Sequence, residues 1–220
     1  MNRSLAVALF VLVAAVAVGI CAEPPKPSIV PKAWELEFTY EVPRPITLKI
    51  SGEDKPQTYW YMLYRVINET GKDQIFVPDF TLYTDNGQVI KAGEHVPSLV
   101  FAAIQKRHNN PLLVDLPAAT GRILQGEDNS KYGVAIWRDI DPKARHFDIF
   151  IGGLSGEREK VKLPEPVKKV ELDREGNKKE IITDEAVLAK MLKLGYFMPG
   201  EAESRTNTLP QLDKKEWVMR

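Results

Sequence analysis

Cysteine is nearly absent from this chain. The single cysteine, Cys21, lies in the apolar N-terminal segment. A chain cleaved after Ala22 therefore has no thiol and forms no disulfide, although export would bring it into an oxidising compartment. For such a chain, thiol catalysis and cysteine-ligated metals are excluded.

Net charge is also lacking, because 30 Lys+Arg balance 30 Asp+Glu. No electrostatic field is available to attract nucleic acid, so we expect no nucleic-acid partner. Hydrophobic residues make up 44% and aromatic residues 9% of the sequence. That composition is sufficient for a packed core and indicates a folded domain.

Recognisable catalytic motifs are missing. The three histidines, His95, His108 and His146, form no H-E-x-x-H or H-x-H pattern. Around Ser155, the sequence GLSGE lacks the glycine that a nucleophile elbow needs two residues after its serine, and no histidine follows it in the chain. We interpret this segment as a glycine-rich strand exit and predict no catalytic residue.

An export signal begins the sequence. Arg3 precedes an apolar run from Leu5 to Ile20, and a polar, proline-rich break follows Ala22. These are the parts of a signal peptide spanning residues 1–22. The mature chain is then secreted or periplasmic.

Two alternatives place the chain on the same side of the membrane but leave it anchored there. Cys21 is a lipidation candidate, although Ile20 stands where a lipoprotein signal favours Gly or Ala. An uncleaved anchor from Leu5 to Ala22 would reach the lower limit of a spanning helix. Membrane contact is expected only through such a lipid or anchor.

After the signal, residues 23–33 are rich in proline and predict an extended tether. Residues 34–220 have the length of a single domain. Alternating apolar and polar residues predict strands, and a stretch that is apolar on both faces predicts a central strand. Eight to ten short strands are predicted, among them Trp34–Val42, Ile46–Ile50, Thr58–Asn68 (the central strand), Tyr132–Arg138 and Phe147–Ile151, and the predicted crossover helix is Ser98–His108.

Charges of both signs crowd residues 157–183, which predicts a solvent-exposed hairpin turning at Glu175–Asn177. A short helix is expected at Asp184–Lys190. Together these elements indicate a mainly all-β fold, an immunoglobulin-like antiparallel β-sandwich with one short crossover helix and a charged hairpin insertion. A β-barrel is the alternative.

The clearest candidate for a ligand site is aromatic. Tyr59, Tyr61 and Arg65 share one face of the predicted central strand. If that face is open, the rings offer a surface on which sugars stack, with Arg65 donating hydrogen bonds. If a helix or the hairpin covers it, the same rings belong to the core.

A metal candidate lies on the loop that joins two predicted strands. Asp139, Asp141 and Asp148 supply hard oxygen ligands of the kind that bind Ca²⁺, without the full spacing of a known calcium loop. No other cofactor is expected. Asn68-Glu69-Thr70 has the form of a glycosylation sequon, and we interpret it as a turn.

The sequence thus favours a non-enzymatic binding or scaffolding module that meets an unknown protein or glycan at the cell envelope. Two alternatives stay open. One is a carbohydrate-binding module that uses the Tyr59/Tyr61 face, and the other is a hydrolase with a carboxylate or metal site built from loops.

Overall fold

The computed structural model describes residues 25–50, 52–138, 140–172, 177–201 and 208–220. Strands make up 52% and helices 10%, so the predicted mainly β class is confirmed. The elements in chain order are β1 (Glu37–Tyr40), β2 (Arg44–Leu48), β3 (Gln57–Ile67), β4 (Gln74–Phe76), β5 (Asp79–Thr84), β6 (Val89–Lys91), α1 (Ser98–His108), β7 (Leu113–Val114), α2 (Leu116–Ala119), β8 (Gly121–Ile123), β9 (Lys131–Arg138), β10 (His146–Gly152), β11 (Arg158–Leu172), β12 (Lys178–Phe197) and β13 (Gln211–Met219).

The first sheet is built around β3, in the order β1-β3-β9-β7. β1 and β2 pair in succession along one edge of β3, with Tyr40 opposite Tyr64 and Arg44 opposite Tyr61. Pro43 lies between them, where its fixed φ and missing N–H interrupt the ladder. β9 occupies the other edge of β3.

The second sheet has the order β11-β12-β10-β5-β6, and β13 also pairs with β12. β12 divides into two parts. Residues 178–189 pair with β11, whereas residues 190–197 pair with β13 and, from Leu192 onward, with β10. The short helix predicted at Asp184–Lys190 is therefore wrong, because the ladder to β11 holds Glu185–Ala189 as strand and overrides a weak capping signal.

The main hydrophobic core lies between the two sheets. Met62, Tyr64 and Val66 of β3 meet side chains of β5, β10 and β12 there, with Leu82, Ile149 and Leu194 fully buried at its centre. These residues alternate with outward-facing ones along each strand, as expected for sheets packed face to face. The buried members from the two sheets include Met62, Tyr64, Val66, Phe80, Leu82, Ala135, Trp137, Phe147, Ile149, Ile151, Leu192, Leu194 and Tyr196.

A second core lies on the opposite face of the first sheet. The predicted helix Ser98–His108 is confirmed as α1, which packs Val100 and Ile104 against Tyr59 and Tyr61. β3 is consequently buried on both faces, as its apolar sequence predicted. Within the described ranges, no helix combines the length and apolarity needed to cross a membrane.

Gly133 is required by this packing. It lies on β9 directly opposite Tyr64, and the Tyr64 ring covers it so closely that a Cβ at position 133 would overlap the ring. Burial also raises the pKa of the Tyr64 hydroxyl far above its ordinary value. Tyr64 is only 3% exposed, so its ring has no room to move without disturbing the core between the sheets.

Replacing Gly133 with Ala should lower the free energy of unfolding by about 2 kcal/mol, because the added methyl overpacks the core. Urea unfolding measures this loss. In a Tyr64→Leu background the ring is gone, so the same Gly133→Ala change should cost clearly less. Equal costs in the two backgrounds would contradict the assigned contact.

Candidate functional site

A long two-stranded ribbon extends from the second sheet. It comprises β11 and residues 178–189 of β12, paired from Arg158 opposite Ala189 outward to Leu172 opposite Lys178. It coincides with the described part of the charged hairpin expected at residues 157–183. Glu175 and Gly176 of the predicted turn lie outside the described residues. Among the described residues, 178–188 of β12 pair only with β11, so the other edge of this part of β12 is open.

The ribbon exposes apolar side chains rather than burying them. Val167, Val170, Ile182 and Val187 are 47%, 55%, 74% and 54% exposed. Its described ion pairs, such as Lys160 with Glu185 at 3.4 Å, are also exposed and contribute little stability. A surface of this kind is typical of elements that contact another molecule.

A buried ionic cluster lies at the root of the ribbon. We call Ser28, Glu35, Glu157 and Lys190 the latch cluster. The Lys190 side chain is 2% exposed, and its ammonium donates to the Ser28 carbonyl at 3.0 Å and to the Glu35 carboxylate. Its Nζ also lies 3.4 Å from Glu157 Oε2 and 5.1 Å from the centre of the Trp217 ring.

Glu157 completes the cluster from the strand side. Its Oε1 accepts a hydrogen bond from the Ser28 N–H at 3.0 Å, and its side chain is 6% exposed. Burial by itself raises the pKa of this carboxyl. The Ser28 N–H and the Lys190 ammonium outweigh burial, so the pKa of Glu157 lies below its ordinary value.

The predicted tether touches the body at this cluster. Its described part, residues 25–33, contains no helix or strand, and Ser28 holds it to Glu157 and Lys190 through backbone atoms. Cys21, the lipidation candidate, lies outside the described residues. The two residues that follow Ser28 point into solvent, with Ile29 fully exposed.

The aromatic face proposed for sugars is not open. Tyr59 and Tyr61 are 1% and 0% exposed, so the expectation of an exposed platform there is wrong. The crossover helix α1 covers both rings. Arg65 lies further along β3, where it pairs with Glu127 at 2.9 Å and stacks on Tyr132.

Tyr61 instead joins α1 to the sheet. Its hydroxyl is 2.9 Å from His108 Nε2 and 3.4 Å from an Arg107 guanidinium nitrogen. Burial, together with the nearby Arg44 charge, lowers the pKa of His108. A neutral imidazole fits this position, since it can accept the hydrogen bond that the Tyr61 hydroxyl donates.

Another aromatic pair lies on the outer face of the second sheet, although sequence reasoning did not single it out. The Tyr83 and Phe150 rings meet edge to face, with centroids 5.3 Å apart. The Arg220 guanidinium lies over both, 4.1 and 4.3 Å from their centroids. This cation occupies the ring faces on which a sugar would stack.

Of the three candidate metal ligands, the two described ones, Asp141 and Asp148, bind other side-chain and backbone groups. Asp139 lies outside the described residues. Asp141 accepts hydrogen bonds from the Asn86 amide and the Lys143 N–H, and Asp148 pairs with Lys193 at 3.0 Å. In the part of the chain that the structure describes, no group of three or more His, Cys, Asp or Glu side chains is placed to hold a metal ion.

Ser155 and Asn68 have structural roles. Ser155 is buried, and its hydroxyl accepts a hydrogen bond from the Glu157 N–H within the turn that leads into β11. Asn68 is fully buried and donates to the carbonyls of Lys72 and Ile123. The interpretation of the sequon as a turn is confirmed, since the Asn68 amide has no access to solvent.

A cavity of about 480 Å³ lies between α1, α2 and the turn before α1. Its walls are mainly apolar, with Phe101, Val134 and Ile136 among them, and Glu94 and Asp115 contribute carboxylates. Asp115 already accepts the Ala118 N–H as the N-cap of α2.

Sequence reasoning missed the latch cluster, although the pattern contained a signal. In the alternation of β12, Lys190 falls on the same face as Leu192, Leu194 and Tyr196, which all point into the core. A lysine at such a position predicts a buried cation that needs acceptors. Its partners come from distant parts of the chain, which the pattern does not identify.

No family model, curated protein or solved structure matches this chain.

Replacing Glu157 with Gln should lower the free energy of unfolding by about 2 kcal/mol at neutral pH. The reason is that Lys190 loses a buried counter-charge. Glu185→Gln is the matched control, because Glu185 is 55% exposed and its pair with Lys160 contributes under about 0.5 kcal/mol. Urea unfolding of both variants makes the comparison, and similar losses would contradict the burial argument.

The cost of Glu157→Gln should also depend on pH. Because the pKa of Glu157 is lowered in the folded state, the unfolded chain takes up the proton first as pH falls. The contribution of Glu157 is therefore complete above the ordinary pKa of a glutamate and is lost as pH falls through the folded value. The difference between wild type and variant in urea should shrink between pH 7 and pH 3, and a constant difference would contradict the assignment.

Proposed function

We propose that this protein is an exported, non-enzymatic binding or scaffolding module, and that the ribbon is the element with which it contacts its partner at the cell envelope. The observation that carries the proposal is the ribbon itself. It keeps four large apolar side chains in solvent and leaves the β12 edge open over residues 178–188.

The division of the molecule supports this assignment. The body builds two hydrophobic cores, although it also exposes single apolar side chains such as Ile75 and Leu112. The ribbon contributes none of its described side chains to either core up to Ala189. An isolated two-stranded ribbon is only marginally stable in water. A partner that pairs with the open β12 edge would satisfy its unpaired backbone groups, and a partner that covers Ile182 and Val187 would remove these apolar side chains from water.

Export is part of the proposal and is supported by the N-terminal sequence. A basic start, an apolar run and a polar break after Ala22 precede the first described residue, Pro25. We also propose that the two sheets form an immunoglobulin-like sandwich. Their mainly antiparallel pairing and their shared core support this description.

Shortening the ribbon should abolish partner binding and leave the body folded. Lys162 and Glu185 are direct cross-strand partners, so residues 163–184 can be replaced by Asn-Gly, which forms a tight hairpin turn. Size-exclusion chromatography of gently solubilised envelopes from the native cell compares the complexes of the two chains. We expect wild type in a larger complex and the shortened chain to elute as free protein.

The control for this experiment is thermal unfolding, in which the shortened chain should behave like wild type within a few degrees. Retention of the complex by the shortened, folded chain would contradict the role of the ribbon. Reproducible turnover of a glycoside or ester by the purified wild-type chain would contradict the non-enzymatic assignment.

A further inference from the structure

We propose that residues 25–36 act as a latch segment that fixes the root of the ribbon, so that release of this segment loosens the ribbon while the body stays folded. The latch segment follows directly after the predicted export signal. Release of the N-terminal segment from the body would thus alter the ribbon, which is the element that we assign to partner binding.

The latch segment is held mainly through its backbone. Two hydrogen bonds of Ser28 use main-chain atoms, its N–H toward Glu157 and its carbonyl toward Lys190, and its hydroxyl also hydrogen-bonds Glu157. Further along, the Leu36 N–H donates to the Leu154 carbonyl at 2.8 Å, and the Gly156 N–H donates to the Trp34 carbonyl at 3.0 Å. The segment therefore runs alongside residues 154–157, which lead into β11.

The two residues that hold Ser28 belong to the root of the ribbon. The Lys190 N–H donates to the Glu157 carbonyl at 3.0 Å, and the next cross-strand pair outward is Arg158 with Ala189. One ammonium thus links the latch segment to both strands at the point where they leave the body. The Trp217 ring closes the site from β13.

The Trp34 side chain adds a packing contact to the hydrogen bonds between the latch segment and the root of the ribbon. Its indole lies on Gly156 so closely that a Cβ at position 156 would overlap it. Such an approach is available only to glycine, and it fixes the latch segment one residue before Glu157. Both the indole contact and the ionic cluster would be lost together if the segment were released.

Loosening is expected because the ribbon is not supported along its length. Beyond its root it has two strands, and regions with few buried contacts open locally at low free energy. Opening that starts at the tip is stopped where the latch cluster holds Glu157 against Lys190. Without the latch segment, opening can extend to the innermost cross-strand pairs of the ribbon, beginning with Arg158 and Ala189.

Hydrogen–deuterium exchange of the full mature chain tests this inference. Ser28→Pro removes the N–H that donates to Glu157, whereas Ser28→Ala keeps it. Both variants lose the Ser28 hydroxyl, which also hydrogen-bonds Glu157, so Ser28→Ala is the matched control for the N–H alone. In Ser28→Pro, amides of residues 158–162 and 185–189 should exchange about fivefold faster, as expected for the loss of one hydrogen bond. Amides of β3 and β9 serve as the internal standard and should keep their wild-type rates.

Two results would overturn the proposal. One is a wild-type exchange rate at the ribbon root of Ser28→Pro, and the other is acceleration of β3 and β9 as large as that of the ribbon. The effect of the latch on binding rests on the proposed function, but exchange needs no partner. A ribbon that loosens without any effect on the envelope complex would therefore refute the proposed function and leave the latch standing.

Discussion

The burial of β3 on both faces is the constraint on which the rest of the structure depends. A strand whose two faces are both apolar is stable only between two covering layers. The second sheet covers Met62, Tyr64 and Val66, and α1 covers Tyr59 and Tyr61. The same constraint explains why the aromatic residues nearest to a sugar-binding pattern are core residues.

Unlike β3, the ribbon has no covering layer along its described length. Its root is fixed by buried charges, and the rest of it is exposed to solvent. Buried charge pairs are not the most stable way to fill a site, but they tolerate few alternative arrangements. Lys190 takes its acceptors from Ser28, Glu35 and Glu157, which come from distant parts of the chain, so the cluster is suited to set the position of the strands where they leave the body.

The local elements could be predicted because their patterns are local. The helix at Ser98–His108 and the central strand near Tyr59 follow from apolar spacing and the surrounding breaks. Which face α1 would cover was left open, because that depends on tertiary packing. The strand conformation of Glu185–Ala189 is set by β11, whose pairing partner the local sequence does not reveal.

The candidate sites show the same difference between local and long-range information. Asn68 and Ser155 were interpreted correctly because each forms hydrogen bonds with residues only two to four positions away, although Asn68 also donates to the distant Ile123 carbonyl. The latch cluster brings residue 28 to residues 157 and 190, and no spacing rule connects those positions. Lys190 on an inward-facing position was the one readable sign that such partners exist.

Site-specific photocrosslinking in the native cell tests most directly whether the ribbon is the contact element. A photoreactive residue replaces Ile182 on the ribbon in one variant and Leu124, which is 46% exposed on the body, in the other. The account predicts one discrete adduct from position 182 and none from position 124. A discrete adduct at position 124 with none at position 182 would contradict it.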